Sequence, residues 1–124
     1  MAGFNSLQGS RILVVDDDYI VAMVVVDFLQ EAGAEIIGPI GEADEAIAFI
    51  RANSGVIDGA VLDVNLHGAK SYPIADALAA HAIGFIFATG YGADALEGAY
   101  QKYPRCEKPF DRVSLIATLA KVVR

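Results

Sequence analysis

The sequence predicts an α/β fold in which helices cover both faces of a parallel sheet. Short, mostly apolar runs that suit buried strands alternate with segments whose apolar residues recur at helical spacing. Five strand segments and five helical segments follow one another in this way, and such alternation is typical of a parallel sheet. The 124 residues of the chain fit a single domain of ordinary size.

The predicted elements can be placed along the chain by their apolar spacing and by the residues that start or end them. The strands are expected at 10–16, 34–39, 56–63, 83–88 and 103–107, and the helices at 18–33, 42–53, 72–81, 93–102 and 111–123. Asp18 is expected to cap the first helix, and Gly33 to end it. In the last helix the residues expected to face the core are Val113, Ile116, Ala117 and Ala120. We expect 1–9 to be a flexible leader and 10–124 to be the domain.

Charge and composition exclude several classes of partner. The net charge is −7 and the nine Lys and Arg residues are scattered, which argues against a nucleic-acid-binding protein. No apolar run approaches the ~18 residues of a membrane span. The single cysteine, Cys106, cannot form an internal disulfide and is interpreted as a small core residue. A cytoplasmic protein is therefore expected.

Polar residues follow the predicted strands at the point where each strand ends. Right-handed crossovers place the carboxyl ends of all parallel strands at one edge of the sheet, which is where ligands bind in open α/β sheets. The residues at this edge are Asp16 and Asp17, Asp63, Thr89 and Lys108. The two histidines, His67 and His81, lack partners at the spacing of metal ligands, so we interpret them as loop and helix-end residues.

These residue types together predict chemistry on a phosphoryl group. Three gathered carboxylates repel one another unless their pKa values rise or a cation binds between them, and Mg²⁺ accepts one or two carboxylates while keeping sites for phosphate oxygens. Asp63 could then act as the nucleophile and form an aspartyl phosphate. Lys108 would offset the phosphoryl charge, and the Thr89 hydroxyl could donate a hydrogen bond to a phosphoryl oxygen.

Over residues 10–123 the chain resembles the receiver domain of two-component response regulators. In that family an acidic pair follows the first strand, the phosphorylated Asp the third, Ser or Thr the fourth, and Lys-Pro the fifth. The matching residues here are Asp16-Asp17, Asp63, Thr89 and Lys108-Pro109. The resemblance implies a CheY-like, flavodoxin-like (βα)5 fold with strand order 2-1-3-4-5.

The resemblance also implies roles for single residues. Asp17 and Asp63 would contact the metal directly, Asp16 would act more through water, and the backbone carbonyl of Asn65 would be a further ligand. A cis peptide bond is implied before Pro109. The chain would accept a phosphoryl group from a phosphohistidine on a sensor kinase or phosphotransfer protein, catalysing only its own phosphorylation and dephosphorylation rather than acting as an enzyme on other substrates.

The chain departs from the common receiver pattern in two places. Arg105 stands three positions before Lys108, where many receivers carry an aromatic switch residue, so either Tyr103 or Tyr100 substitutes or the usual coupling is altered. The segments FATGYG (87–92) and DVNLHG (63–68) resemble an unusual receiver subgroup of the FATGUY type, linked to bacterial stress signalling.

The expected output is protein contact. The sequence predicts no output domain, so the phosphorylated chain would bind a downstream protein or act as a phosphate sink. The face formed by the fourth helix, fifth strand and fifth helix is the expected output or dimer surface. On the first helix, Ile20, Met23 and Val24 lie on the side that is expected to face solvent. Exposed apolar patches commonly mark partner sites. We expect this patch to dock the phosphodonor protein.

Two alternatives from other classes fit less well. A small aspartate-nucleophile phosphohydrolase would use Asp16 and Asp18 as its Asp-x-Asp, but that family has Thr or Val where Ile20 stands and usually a cap domain. A flavin-binding module would need a hydroxyl and a Gly-rich phosphate loop after the first strand, where carboxylates stand instead.

Overall fold

The alternating apolar runs form a five-stranded parallel sheet in the computed structural model, which describes residues 6–90 and 96–124. The strands of this sheet are β1 (Arg11–Val15), β2 (Glu35–Ile40), β3 (Gly59–Asp63), β6 (Phe85–Thr89) and β7 (Arg105–Glu107). A separate antiparallel hairpin between β3 and the third helix consists of β4 (Asn65–Leu66) and β5 (Ala69–Lys70). The α-helices are α1 (Tyr19–Glu31), α2 (Ala43–Asn53), α3 (Tyr72–Ala80) and α4 (Arg112–Ala120).

The order of the strands confirms the predicted fold class. The sheet runs β2-β1-β3-β6-β7, and every neighbouring pair is parallel. Because β6 and β7 are the fourth and fifth strands of this sheet in chain order, the observed order is the predicted 2-1-3-4-5. The central strands β3 and β6 are buried along their whole length, and both are apolar up to the polar residue that ends each one, Asp63 or Thr89.

Helices bury both faces of the sheet, and each face has its own core. On one face α1 and α4 contribute Val25, Leu29, Leu115 and Leu119 to a cluster that includes Ile12 and Val14. On the other face α2 and α3 contribute Ile50 and Leu78 to a cluster around Leu62 and Phe87. Each such side chain gains about 1.5–3 kcal/mol on burial, so packing outweighs the poor helix propensity of the three consecutive valines in α1.

The predicted signals at both ends of α1 are confirmed. The Asp18 side chain accepts hydrogen bonds from the backbone N–H groups of Ile20 and Val21, which lack partners inside the helix. After the helix, Gly33 has a φ of +92°, a left-handed conformation that glycine adopts without a Cβ clash.

Several predicted boundaries differ from the structure. The fourth predicted helix, 93–102, lies partly outside the described residues, and its described part forms a short 3₁₀ helix at Gly98–Lys102. The described residues therefore contain four α-helices instead of the predicted five. The third strand begins three residues later than predicted, because Ser54–Val56 form a 3₁₀ turn.

The prediction for the core face of the last helix is partly wrong. Val113 is 72% exposed, and Ala117 is exposed as well. The buried stripe of α4 consists of Leu115, Ile116 and Leu119, which recur at helical spacing and present larger apolar side chains than the alanines.

The prediction of a flexible leader over 1–9 does not hold for residues 6–9, which pack against the domain. Leu7 is fully buried in the core between the sheet and α1, and its backbone N–H donates to the Ala32 carbonyl over 3.2 Å. An apolar side chain in the predicted leader thus packs against the domain. Residues 1–5 lie outside the described part of the chain. Within the described ranges, no helix is long and apolar enough to cross a membrane.

Candidate functional site

Strand register brings the predicted site residues to one edge of the sheet. Val15 of β1 lies opposite Leu62 of β3, so the next residues, Asp16 and Asp63, are neighbours at the strand ends. Asp63 in turn lies opposite Ala88 of β6. Thr89 follows directly and pairs with β7, and its carbonyl accepts the backbone N–H of Lys108 over 2.8 Å.

Three carboxylates meet at this edge. One carboxylate oxygen from each of Asp16, Asp17 and Asp63 lies within 4.8 Å of the other two. Asp16 and Asp63 are buried, whereas Asp17 is exposed. A hard divalent cation such as Mg²⁺ suits this donor set, because it binds carboxylate oxygens and keeps several waters on its open side.

Lys108 contributes the positive charge of the cluster. Its Nζ lies 3.0 Å from Asp63 Oδ2 and 3.6 Å from Asp16 Oδ2. The ammonium group donates a hydrogen bond to Asp63. Lys108 thus pairs with two of the three carboxylates, so the cluster keeps an excess of negative charge that a divalent metal would neutralise.

Burial and neighbouring charges shift the pKa values of two groups in the cluster. Burial raises the pKa of Asp16 to about 6, with the neighbouring charge of Asp63 adding to the rise and the backbone N–H of Asp18 opposing it. For Lys108 burial opposes the charged form, but the carboxylates of Asp63 and Asp16 outweigh that effect and raise its pKa.

The chain directly after β3 holds Asp63 in place. The backbone N–H of Asn65 donates to Asp63 Oδ1 over 3.1 Å, and the Ser71 hydroxyl donates to the Asp63 carbonyl over 2.6 Å. Ser71 is buried and its N–H also bonds to Val64, so it closes the β4–β5 hairpin back onto the end of β3. Sequence patterns missed Ser71, whose only local signal is its position just before the helix-starting Tyr72-Pro73.

Thr89 is buried beside the cluster, and its hydroxyl lies 3.5 Å from the Cys106 carbonyl oxygen. Cys106 itself is a buried free thiol, as predicted for a small core residue. The hydroxyl of Thr89 is thus at the predicted edge of the sheet, engaged with the neighbouring strand.

Arg105 stands where many receivers carry an aromatic switch residue, and the two tyrosines near it, Tyr103 and Tyr100, pack in different ways. Arg105 begins β7 and is exposed. The Tyr103 ring contacts Phe85 with a centroid distance of 4.6 Å, and the Tyr100 ring stacks on Tyr72 at 3.9 Å. Tyr103 is thus bound into the core, while Tyr100 joins the 3₁₀ helix to α3.

The patch predicted on α1 borders an apolar groove. Ile20 is 77% exposed and Val24 is 43% exposed, whereas Met23 is partly buried against the core. A groove of about 390 Å³ lies between α1 and the segment after β7, with its lining formed by Ile20, Val21, Val24, Lys108, Pro109 and Phe110. Lys108 connects this groove to the carboxylate cluster.

Sequence patterns also missed a role for His67. Its backbone N–H donates to Asp17 Oδ2 over 2.9 Å, and its ring lies between Asp17 and Glu42. These partners come from three separate loops, so no spacing in the sequence could have indicated the contact.

Solved structures of other proteins are similar to this chain over most of its length. The solution structure of SdrG from Sphingomonas melonis Fr1 is 38% identical, covering 92% of this chain and 98% of SdrG with a TM-score of 0.77. A BeF3-activated conformation of SdrG from Pseudomonas melonis Fr1 is 35% identical over 99% of this chain and 100% of SdrG, with a TM-score of 0.73. A response regulator receiver protein from Sinorhizobium medicae WSM419 shares the fold at 20% identity, covering 93% and 94% of the two chains with a TM-score of 0.76. The chain belongs to the response regulator receiver family.

One further detail of this receiver agrees with the resemblance. The Lys108-Pro109 peptide bond is cis, as the family pattern implied. A second cis bond precedes Pro39 and was not predicted. No protein-family model matches the chain, and no curated protein does.

Proposed function

We propose that this receiver accepts a phosphoryl group onto Asp63 from a phosphohistidine on a kinase or phosphotransfer protein, with Mg²⁺ bound beside it. The observation that carries the proposal is the contact of Lys108 with Asp63 at the edge where Asp16 and Asp17 also gather. Unrelated capping or turn requirements would have no reason to bring one amine and three carboxylates from three separate segments together.

The chemistry of the transfer follows from the positions of these groups. A carboxylate oxygen of Asp63 attacks phosphorus, the bond from phosphorus to the donor imidazole nitrogen breaks, and the electron pair of that bond leaves with the imidazole. Asp16, Asp17, Asp63 and the backbone carbonyl of Asn65 would hold Mg²⁺, which when bound neutralises charge on the phosphoryl oxygens.

Lys108 and Thr89 would stabilise the product. The Lys108 ammonium already contacts Asp63 Oδ2, so it lies close enough to pair with an oxygen of the phosphoryl group. Thr89 would exchange its long contact to the Cys106 carbonyl for a hydrogen bond to the phosphoryl group. Movement of Thr89 would then bias the neighbouring strand β7, with which it pairs, toward an active arrangement.

Labelling by a small phosphodonor tests this proposal without knowledge of the natural kinase. In the presence of Mg²⁺, intact mass should show one added phosphoryl group on the wild type and none on Asp63→Asn. With EDTA the wild type should stay unlabelled. Equal labelling of both proteins would overturn the assignment of Asp63.

The phosphohydrolase alternative is disfavoured by the position of Asp18. That mechanism needs Asp18 beside the phosphoryl group as an acid or base, but its Oδ1 accepts the two N–H groups that begin α1. Asp16, the nucleophile of that alternative, is buried, and the backbone N–H of Asp18 donates to it over 2.9 Å.

The groove beside Lys108 is the surface we propose for the phosphodonor protein. It joins the exposed apolar side chains of α1 to the edge of the carboxylate cluster, so a partner seated there could present a phosphohistidine to Asp63. Ile20 and Val24 supply the exposed apolar area, and Met23 contributes less because the core partly covers it.

We propose protein contact as the route by which the signal leaves. The face that combines the 3₁₀ helix at Gly98–Lys102 with β7 and α4 corresponds to the output or dimer surface expected from the resemblance. The sequence segments FATGYG (87–92) and DVNLHG (63–68) support membership of the FATGUY-type stress-signalling subgroup. Mass measurement of the BeF3-treated chain by light scattering tests dimerisation, and an unchanged monomer mass would exclude it.

A further inference from the structure

Ser71 occupies the N-cap position of α3, but its hydroxyl does not cap the helix. A serine at this position usually accepts a backbone N–H from the first turn of its helix. Here the hydroxyl instead donates to the backbone carbonyl of Asp63, eight residues earlier, over 2.6 Å. Only 2% of Ser71 is exposed, so this bond is shielded from water. The side chain therefore contacts the end of β3 instead of the start of α3.

Ser71 binds two consecutive peptide units of the turn after β3. Its hydroxyl donates to the Asp63 carbonyl, and its backbone N–H donates to the Val64 carbonyl over 2.8 Å. Because a peptide unit is planar, a bond that fixes its carbonyl also fixes the direction of its N–H. The N–H of the first unit belongs to Val64 and donates to the Ala88 carbonyl of β6 over 3.1 Å, and the N–H of the second belongs to Asn65. The turn is thus held by hydrogen bonds on both sides of the chain.

These two peptide units determine where the Asp63 carboxylate lies. The Asn65 N–H donates to Oδ1 of Asp63 over 3.1 Å, and the Lys108 ammonium donates to Oδ2 over 3.0 Å. One oxygen is therefore oriented by the turn that Ser71 holds, and the other by the residue that follows β7. A peptide group that accepts a hydrogen bond at its carbonyl becomes a stronger donor at its N–H, so the bond to Oδ1 depends on Ser71.

We propose that Ser71 is a positioning residue for phosphoryl transfer, because its hydroxyl fixes the backbone of Asp63 and so holds the carboxylate in place for attack on phosphorus. The inference rests on the proposed function and adds a residue that acts through Asp63. Transfer requires the reacting atoms to be aligned at about 3–3.5 Å, so a small displacement of the carboxylate slows the reaction strongly. Ser71 is buried and does not meet the phosphodonor, so the effect belongs to the rate of transfer and not to donor binding.

Labelling kinetics distinguish positioning from a merely structural role. With acetyl phosphate and excess Mg²⁺, Ser71→Ala should lower the maximal labelling rate about tenfold and change the half-saturating donor concentration by less than about twofold. Gly84→Ala is the control for lost stability, since a Cβ there would collide with the Val122 carbonyl oxygen at the end of β6 opposite to the site. It should be labelled at the wild-type rate. A wild-type rate for Ser71→Ala would overturn the proposal, and so would equal slowing of both variants.

Nuclear magnetic resonance of the protein in EDTA gives a readout that does not depend on transfer. In Ser71→Ala the Asn65 amide proton should move upfield and exchange with solvent about tenfold faster than in wild type, because the turn has lost one of its two hydrogen bonds to Ser71. The Leu115 amide, in α4 on the other face of the sheet, should keep its wild-type rate. An unchanged Asn65 signal would refute the role of Ser71 alone, whereas a wild type that acetyl phosphate never labels would contradict the proposed function.

The wild type alone supplies a further check that does not require the variant to fold. The Asn65 and Ser71 amides should be protected together, since the same turn holds both N–H groups in hydrogen bonds. An Asn65 amide that exchanges much faster than the Ser71 amide would contradict the proposal, because Ser71 would then not hold the turn.

Discussion

The ammonium group of Lys108 lies 3.0 Å from the carboxylate of Asp63, although 45 residues separate them in the chain. The contact joins the end of β7 to the end of β3 across the intervening strand β6. It therefore depends on the strand order, and it places a fixed positive charge beside the oxygen that we propose to be phosphorylated. The same charge reduces the repulsion between Asp63 and Asp16.

Replacing Lys108 should destabilise the metal-free protein. Lys108→Ala leaves Asp16 and Asp63 buried without their cation, and the loss of one partner from such a group costs roughly 1–3 kcal/mol in the free energy of unfolding. Urea unfolding in EDTA measures this loss, and added Mg²⁺ should restore part of it. Lys121→Ala, at an exposed position after α4, is the control and should stay within about 0.5 kcal/mol of wild type. Equal stabilities of the two variants would contradict the role of the contact.

The raised pKa of Asp16 predicts a pH dependence of stability. Between the ordinary value of 3.8 and the folded value of about 6, the folded state holds a proton that the unfolded state has lost. Stability from this group is therefore present below about pH 4 and is lost as the pH rises through about 6. In EDTA, Asp16→Asn should lack this loss and exceed wild type in stability at pH 7–8. Parallel stability curves from pH 4 to 8 would refute the prediction.

Docking at the groove predicts a selective defect in phosphotransfer. Ile20→Glu places a charge on the most exposed apolar residue of the patch and should slow transfer from the partner protein by about tenfold or more, since a buried unpaired charge is costly at an interface. Labelling by a small phosphodonor should keep its wild-type rate.

A matched control for docking is Val56→Glu. Val56 is also an exposed apolar residue, but it precedes β3 and lies at the other end of that strand from Asp63. Its variant should accept phosphate from the partner normally. If Ile20→Glu slows both kinds of labelling equally, the defect lies in the site and the docking surface is wrong.

The close approach of the C-terminal segment to the sheet predicts a large effect at Gly84. A Cβ at this position would collide with the carbonyl oxygen of Val122, which belongs to the backbone and has little room to move. Gly84→Ala should therefore lower the free energy of unfolding by about 1–3 kcal/mol. Thermal unfolding measures this loss. At Gly55 an added Cβ would meet no atom within 4 Å, so Gly55→Ala should leave the stability nearly unchanged. Similar melting temperatures for the two variants would show that the C-terminal segment does not pack as described.

Sequence patterns predicted the fold and the edge that carries the site because both depend on strand composition. Buried strands such as β3 and β6 must be apolar on both faces, and the polar residue that ends each one, Asp63 or Thr89, marks the edge of the sheet. The cap at Asp18 and the turn at Gly33 were also predictable, since both arise from local backbone chemistry.

Features that depend on tertiary contact were not predictable in this way. The bond of Ser71 to the Asp63 carbonyl and the position of His67 between Asp17 and Glu42 both join segments that only the folded chain brings together. The exposure of Val113 was missed because apolar spacing in α4 allows two overlapping stripes, and packing selects the one with the larger side chains.

Locating the phosphoryl group after Mg²⁺-dependent labelling is the most direct test of the central claim. Peptide mapping should find it on the fragment that contains Asp63, and the label should disappear in Asp63→Asn. A phosphoryl group on Asp16 would contradict the account, because the aspartate that accepts the hydrogen bond of Lys108 would then not be the phosphoryl acceptor.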